Sequence, residues 1–246
     1  MVDKELARTV IGIMGNILSF CLFGSPIPTF AKILKSKSVG DFKPDPYLST
    51  LMNCFLWDFY GLPMVHPETL LITINSIGLA MSALYITIFL IYAETKARVK
   101  VIGWIFIQLA FMVILVTCTL KFIHTNEHRS TIVGIICLIF NVLMYASPLT
   151  IMIEVIKTKS VKYMPFCLSL AIFFNGIMWV LYAVIDKLDL FILLRIFFFI
   201  LQNGVGLLSG AIQLTLHACC YKVTLKDEDD DKPVKELQPS AADAKA

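Results

Sequence analysis

From Val10 to Phe30 the chain carries no charged residue. Six more apolar stretches of similar length follow: Tyr47–Val65, Leu70–Tyr92, Val101–Phe122, Ile132–Ile153, Phe166–Ile185 and one ending near Leu216. A helix needs about 20 apolar residues to cross the hydrocarbon core of a bilayer. With 58% of its 246 residues hydrophobic, 16% charged and a mean hydropathy of +0.79, the chain has more apolar surface than a soluble domain of this size would hide. It reads as an all-α membrane protein of seven transmembrane helices. The mixed-charge start (Asp3, Lys4, Glu5, Arg8) and the proline pair at Pro26 and Pro28 make the first stretch a span rather than a cleavable signal.

The segments between spans set the orientation. Lys32, Lys35, Lys37 and Lys43 follow the first span, Lys96, Arg98 and Lys100 the third, and Lys157, Lys159 and Lys162 the fifth, whereas the alternate loops carry Lys121, Arg129 and Lys187. By the positive-inside rule the richer loops are cytoplasmic. The amino terminus is then outside and the tail from Lys222 inside. That tail, residues 222–246, is acidic at Asp227–Asp231, contains Pro233 and Pro239 and has no apolar period; it reads as a disordered extension. Cys21, Cys54, Cys118, Cys137 and Cys167 lie within apolar spans, so they form neither a disulfide framework nor a metal spacing. Cys219 and Cys220 read as two small residues at a helix end, with palmitoylation the competing reading.

The chain writes one instruction twice. "SPIPTFAKILKSKSV" (Ser25–Val39) and "SPLTIMIEVIKTKSV" (Ser147–Val161) share six of fifteen residues at an offset of 122 positions. Asn53, Trp57 and Tyr60 recur at the same offset as Asn175, Trp179 and Tyr182. Two local matches at one offset indicate a duplication, which dictates architecture. Four spans separate the copies, an even number, so both enter the membrane in the same sense. The expected fold is a 3+1+3 parallel repeat: two triple-helix bundles joined by a linker helix. The units are residues 1–95, the linker helix within 96–128, and residues 129–221. Transporters built from paired repeats place the substrate near the midplane, where the halves meet.

Polar and conformationally special residues fall at matched positions. Pro26 and Pro148 lie near the inner ends of the first and fifth spans, and Pro46 and Pro165 open the second and sixth. A proline inside a helix removes a backbone bond and frees the carbonyl four residues earlier, here that of Leu22 or Met144, which kinks the helix; at a helix start it costs little. Four prolines in register suggest a hinge set at an inner gate. Asn75 and Asn203 are surrounded by apolar residues, and an unpaired amide in hydrocarbon costs several kcal/mol, so each must face a partner or a wet cavity. An amide carries donors and an acceptor, which suits a ligand made of hydroxyls, and the indoles of Trp57 and Trp179 offer flat apolar faces to the C–H faces of a sugar ring. Taken singly, a membrane Asn is more often interhelical glue and a Trp an interfacial anchor. On the residues alone both readings stand.

The segments "SPIPTF" with downstream "KSKSV", "NCFLWDFYGLP", "TINSIG", "MYASPL", "KTKSVKYMPFCLSL" and "NGVGLLSGAIQL" resemble those of the SWEET family of sugar uniporters over about residues 8 to 221. The resemblance implies facilitative, alternating-access movement of mono- or disaccharides, without a cofactor. It implies that Asn75, Asn203, Trp57 and Trp179 bind the sugar and that Leu22, Asn53, Met144 and Asn175 line the pocket and set substrate size; their bulk favours hexoses. It also implies an inner proline tetrad of Pro26, Pro46, Pro148 and Pro165, and an outer gate of Tyr60 with Asp189. The plasma membrane is the expected location, with a vacuolar or other endomembrane as the alternative. The second copy departs from the first. Tyr182 and Asn203 are 21 residues apart against 15 for Tyr60 and Asn75, so six extra residues lie around "LLRIFFF", and Arg195 is expected to snorkel to headgroups.

The competing function is a proton-coupled exporter of amino acids or other small solutes that uses Asp58 as its titratable group. A seven-helix receptor does not require the 3+1+3 duplication or matched prolines. An enzyme would need a nucleophile–base pair or a metal ligand set, and His66, His124, His128 and His217 fall in loops or at a helix end instead. No nucleic-acid partner is expected. Gly206 and Gly210 in the last span permit close helix contact, read as packing within the protomer, and the broad lateral faces of the halves leave room for a homo-oligomer.

Overall fold

The computed structural model describes residues 4–40, 42–144, 152–153, 155–159, 161, 166–185 and 203–219, and among them all regular structure is helical. The helices are α1 (Lys4–Gly24), α2 (Ile27–Ser36), α3 (Asp45–Gly61), α4 (Thr69–Tyr92), α5 (Thr95–Phe122), α6 (Asn126–Met144), α7 (described at 152–153 and 155–158), α8 (Phe166–Val184) and α9 (residues 203–219). Among the described residues, five helical stretches are long and apolar enough to cross a membrane, α1 and α2 counting as one. The order fits the expected 3+1+3 arrangement: α1/α2, α3 and α4, then α5, then α6/α7, α8 and α9. Pro148, Pro165, Asp189, the six-residue insertion with Arg195, and the tail lie outside the described residues.

The duplication is visible in the backbone and in burial. Lys37 and Lys159, 122 positions apart, both adopt the left-handed conformation, with φ of 52° and 56°, where α2 and α7 end. Phe30, Ile33 and Val39 are buried in the first half, and their counterparts Met152, Val155 and Val161 are buried in the second. The kink expected at Pro26 takes the form of a two-residue interruption: α1 stops at Gly24, Ser25 and Pro26 form a turn, and α2 restarts at Ile27. The Leu22 carbonyl takes the Ser25 N–H at 3.1 Å instead of the proline's missing one. Pro46 sits in the first turn of α3, as expected of a proline there.

The two halves are cross-braced. The α3 helix lies along α4, α1 packs against α4 and α8, α3 also packs against α6, and α5 rests on α3 and α6. Thus the first helix of each half meets the second helix of the other. On α1 the large residues Leu6, Val10, Ile13, Ile17 and Phe20 are exposed, whereas Gly12, Gly15 and Ser19 are buried. This is amphipathicity by size rather than polarity, since lipid is as apolar as leucine and close approach needs small residues.

The α8–α9 seam is the tightest at the backbone. A Cβ on Gly176 would stand 2.8 Å from the Leu207 nitrogen, and one on Gly210 would stand 2.8 Å from the Phe173 backbone. The expectation that Gly210 packs within the protomer therefore holds. Gly176→Ala is predicted to destabilise the protein by about 1–3 kcal/mol, since backbone cannot yield as a side chain does. Gly103→Ala, whose Cβ meets nothing within 4 Å, should be neutral or stabilising by up to about 1 kcal/mol; thermal unfolding of the two variants in detergent checks the contrast.

Candidate functional site

A cavity of about 170 Å³ lies between the halves, lined by Ser19, Leu22 and Phe23 of α1, Asn53 and Trp57 of α3, Leu71, Ile74 and Asn75 of α4, Asn141 of α6, Asn175 and Trp179 of α8, and Asn203 of α9. Seven of the eight residues expected to line a pocket are brought together there. Asn203 is among them despite the longer connection that precedes it. The eighth, Met144, faces a second cavity of about 370 Å³, between α3, α5 and α6, with Asp45, Met52, Trp104, Gln108 and Phe140 on its walls. In the first cavity α6 contributes Asn141 instead. Three residues along a helix return to within about 60° of the same face, and that remaining rotation carries Met144 toward α3 and α5.

Position, burial and hydrogen bonding explain why these side chains are held. Asn75 is buried, and its Nδ2 donates to the Leu71 carbonyl at 2.8 Å, one turn earlier on its own helix; the amide is anchored from behind. Ser19 donates its hydroxyl to Asn175 Oδ1 at 2.8 Å and accepts from Trp179 Nε1 at 3.2 Å. One small hydroxyl on α1 thereby fixes both the indole and the amide that α8 contributes. Asn53 Oδ1 is buried and has no hydrogen-bond partner among the described residues. Such an atom costs roughly 1–3 kcal/mol until a donor reaches it.

Toward the C-terminal ends of α3 and α8, beyond the tryptophans, stand the two repeated tyrosines, both buried. Each seats its ring on a glycine of the other half. A Cβ on Gly12 would come within 2.8 Å of the Tyr182 ring, and one on Gly134 within 3.3 Å of the Tyr60 ring. Gly12 and Gly134 are themselves 122 positions apart. Trp57 packs edge-on to Tyr60 with centroids 5.4 Å apart, and Trp179 edge-on to Tyr182 at 5.5 Å.

Beyond Tyr182 lies a cluster that leaves no periodic or repeated pattern in the sequence. The Tyr182 hydroxyl donates to Glu68 Oε2 at 2.6 Å, Arg8 pairs with Glu68 Oε1, and the Arg8 guanidinium lies 4.2 Å from the centre of the Tyr182 ring. His66 Nε2 is 3.7 Å from the same carboxylate. Glu68 lies just ahead of α4, Arg8 on α1 and Tyr182 on α8, so an acid, a base and a phenol from both halves meet above the cavity. The expected partner of Tyr60, Asp189, lies outside the described residues. Ser19, Asn141 and the glycine seats also escaped notice. Ser19 and Asn141 share the 122-position offset but not their identity, whereas extending the repeat search to α1 would have found Gly12 and Gly134.

Asp58 stands apart from the cavity. Its carboxylate oxygens accept from Ser76 Oγ at 3.3 Å across the α3–α4 seam, and it is not among the lining residues. Ser19→Ala should lower stability by about 1–3 kcal/mol, because it removes the hydroxyl that both accepts from the Trp179 indole and donates to Asn175. Thermal unfolding with tryptophan emission as the signal tests this; an unchanged midpoint would contradict the assigned role of the hydroxyl.

A family model described as "Sugar efflux transporter for intercellular exchange" matches the chain twice, at residues 9–97 and 131–224. The starts of the two matches are again 122 positions apart. The chain is 52% identical over 234 residues to the Arabidopsis thaliana protein named bidirectional sugar transporter SWEET5, covering 94% of each. It is 55% identical over 230 residues to SWEET4 of the same plant, covering 93% of this chain and 88% of that one. A solved structure of a eukaryotic SWEET transporter superposes with a TM-score of 0.81 at 36% identity, covering 89% of this chain and 99% of that one. With both halves matched and the whole architecture shared, the chain belongs to the SWEET family.

Proposed function

We propose that the protein is a facilitative, bidirectional sugar uniporter that moves mono- or disaccharides, with hexoses favoured, by alternating access. One observation carries the reading: each half delivers an indole and a deep carboxamide to a single cavity between them. Trp57 and Trp179 give a ring its apolar faces. Asn75, Asn203, Asn53 and Asn175 give it donors and acceptors in a place where water is scarce, and the unpartnered Asn53 oxygen asks for a hydroxyl. The cavity's 170 Å³ lies below the roughly 300 Å³ at which pockets for drug-sized ligands begin, which suits one pyranose better than two. Proteins about half identical to this chain over most of its length are named bidirectional sugar transporters.

In this scheme Pro26, Pro46, Pro148 and Pro165 serve the inner gate and hinge, and Leu22 with Asn53 and Asn175 sets substrate size. Met144 would act on that size only from the neighbouring cavity. The outer end is held shut by Tyr60 with Asp189 and, we add, by Tyr182, Glu68 and Arg8. The first half, the linker helix and the second half move as the units 1–95, 96–128 and 129–221. The protein sits in the plasma membrane with its amino terminus outside. Asp58, turned to Ser76 rather than to the cavity, gives the proton-coupled exporter no support.

Uptake of radiolabelled glucose, fructose and sucrose by transport-deficient cells tests the function. Glucose or fructose should accumulate above empty cells without dependence on a proton gradient, and Asn75→Ala, Asn203→Ala and Trp57→Ala should each lower uptake about tenfold or more. Uptake driven by the proton gradient and abolished by Asp58→Asn would favour the exporter instead. For the outer closure, Glu68→Gln should raise labelling of an Asn53→Cys thiol by an impermeant reagent applied outside, because the Tyr182 and Arg8 contacts lose their anion. Equal labelling with and without Glu68→Gln would remove Glu68 from the gate.

A further inference from the structure

We infer that Tyr85 is a positioning residue for the inner hinge of the first half, bridging the two sides of the helix break at Pro26. The inference rests on the alternating-access reading above and adds to it a part that the sugar does not touch. Tyr85 is buried on α4, 4% exposed, and donates its hydroxyl to the Phe23 carbonyl at 2.9 Å. Phe23 lies in the last turn of α1, where carbonyls run short of intrahelical donors because the helix stops. The same ring stacks on Phe30, in the first turns of α2, with centroids 4.5 Å apart and planes 15° apart. One side chain therefore holds backbone ahead of the break and a side chain behind it. Tyr47, next to Pro46 at the start of α3, closes the cluster, 5.6 Å from Tyr85 and 4.9 Å from Phe30.

The second half keeps the position and changes its chemistry. Counting from Asn75 and Asn203, the counterpart of Tyr85 is Gln213, and the counterparts of Phe30 and Tyr47 are Met152 and Ser169. Gln213 is buried, accepting from the Ser169 hydroxyl at 2.9 Å and donating to Ser209 at 3.2 Å. It ties α8 to α9 through an amide where the first half uses a stacked phenol. Aromatic stacks fix ring geometry, and a hydroxyl bound to a break carbonyl fixes the angle between two helix segments. The first half's hinge is therefore set by Tyr85, and motion at the inner gate depends on that hydroxyl bond being made and released at the right stage.

The test uses the full chain in lipid nanodiscs and in proteoliposomes, with native cysteines replaced by serine. Spin labels are placed on Lys35→Cys and Lys157→Cys, exposed counterparts at the inner ends of α2 and α7. Tyr85→Phe removes the hydroxyl and keeps the ring. It should broaden the label-to-label distance distribution and lower the maximal glucose exchange rate about threefold or more, with KM changed less than about twofold, the pattern of a conformational rather than a binding defect. Thr87→Ala, on the same helix and bonded only to its own Ala83 carbonyl, should change neither. If Tyr85→Phe is not recovered folded, Phe30→Leu, which removes the ring partner beyond the break, is predicted to give the same broadening. An unchanged distance distribution overturns the bridge, and a broadened one with an unchanged rate overturns its part in transport. If the unmutated protein moves no sugar, the proposed function fails, while the distance comparison still decides the structural role of Tyr85.

Discussion

Each half of this protein seats a tyrosine ring in a gap that the other half leaves open by carrying glycine. Tyr182 lies on Gly12 and Tyr60 on Gly134, and this crossed pair sets how closely the two three-helix units approach. In a bilayer no hydrophobic effect drives helices together, so shape has to do it. Small residues on the inner face of α1, with large ones turned to lipid, allow α8 to come near enough for Trp179 to reach Ser19. The cavity follows from that approach. If the halves stood farther apart, the two indoles and the carboxamides would belong to separate surfaces; if they were fused without a void, Asn53 would have nowhere to face.

The same crossing links the cavity to the Glu68 cluster through a short chain of contacts. Trp179 is hydrogen-bonded to α1 through Ser19, lies edge-on to Tyr182, and Tyr182 in turn donates to Glu68. A ligand that moves the indole pushes on a short chain of contacts ending at a partly buried ion pair. Partly buried pairs of this kind are strongly coupled to their surroundings, because separating them leaves charge poorly solvated. The opposite end of the first half, where Pro26 and Pro46 lie, is built differently, around the aromatic cluster of Phe30, Tyr47 and Tyr85.

Much of the architecture was legible because the bilayer restricts the choices. Apolar length gave the spans, and one offset of 122 positions gave the parallel repeat. The same offset recovers the left-handed lysines Lys37 and Lys159 and the buried triplets around Phe30 and Met152, in which Phe30/Met152 and Ile33/Val155 stay buried though they differ in identity. Site residues were legible where both copies kept one chemistry, as with Trp57 and Trp179. They were hidden where the copies diverged, as with Ser19 and Asn141, or where the contact joins distant segments without periodic pattern, as with Arg8, Glu68 and Tyr182. Met144 shows a further limit: a repeat fixes position along a helix, but a modest rotation of α6 turns a counterpart to a neighbouring cavity. At Pro26 the kink takes the form of a two-residue turn, since a serine–proline turn followed by a second proline at Pro28 gives the chain a ready helix restart.

The account rests on a sugar being held between the halves, in contact with an indole and a carboxamide from each. The most direct measurement is a cryo-electron microscopy structure of the full chain in lipid with saturating glucose, at a resolution that shows a pyranose ring. The account predicts ring density between Trp57 and Trp179, with hydroxyls within hydrogen-bond distance of Asn75 and Asn203. Glucose density elsewhere on the protein, with this cavity empty, would contradict it.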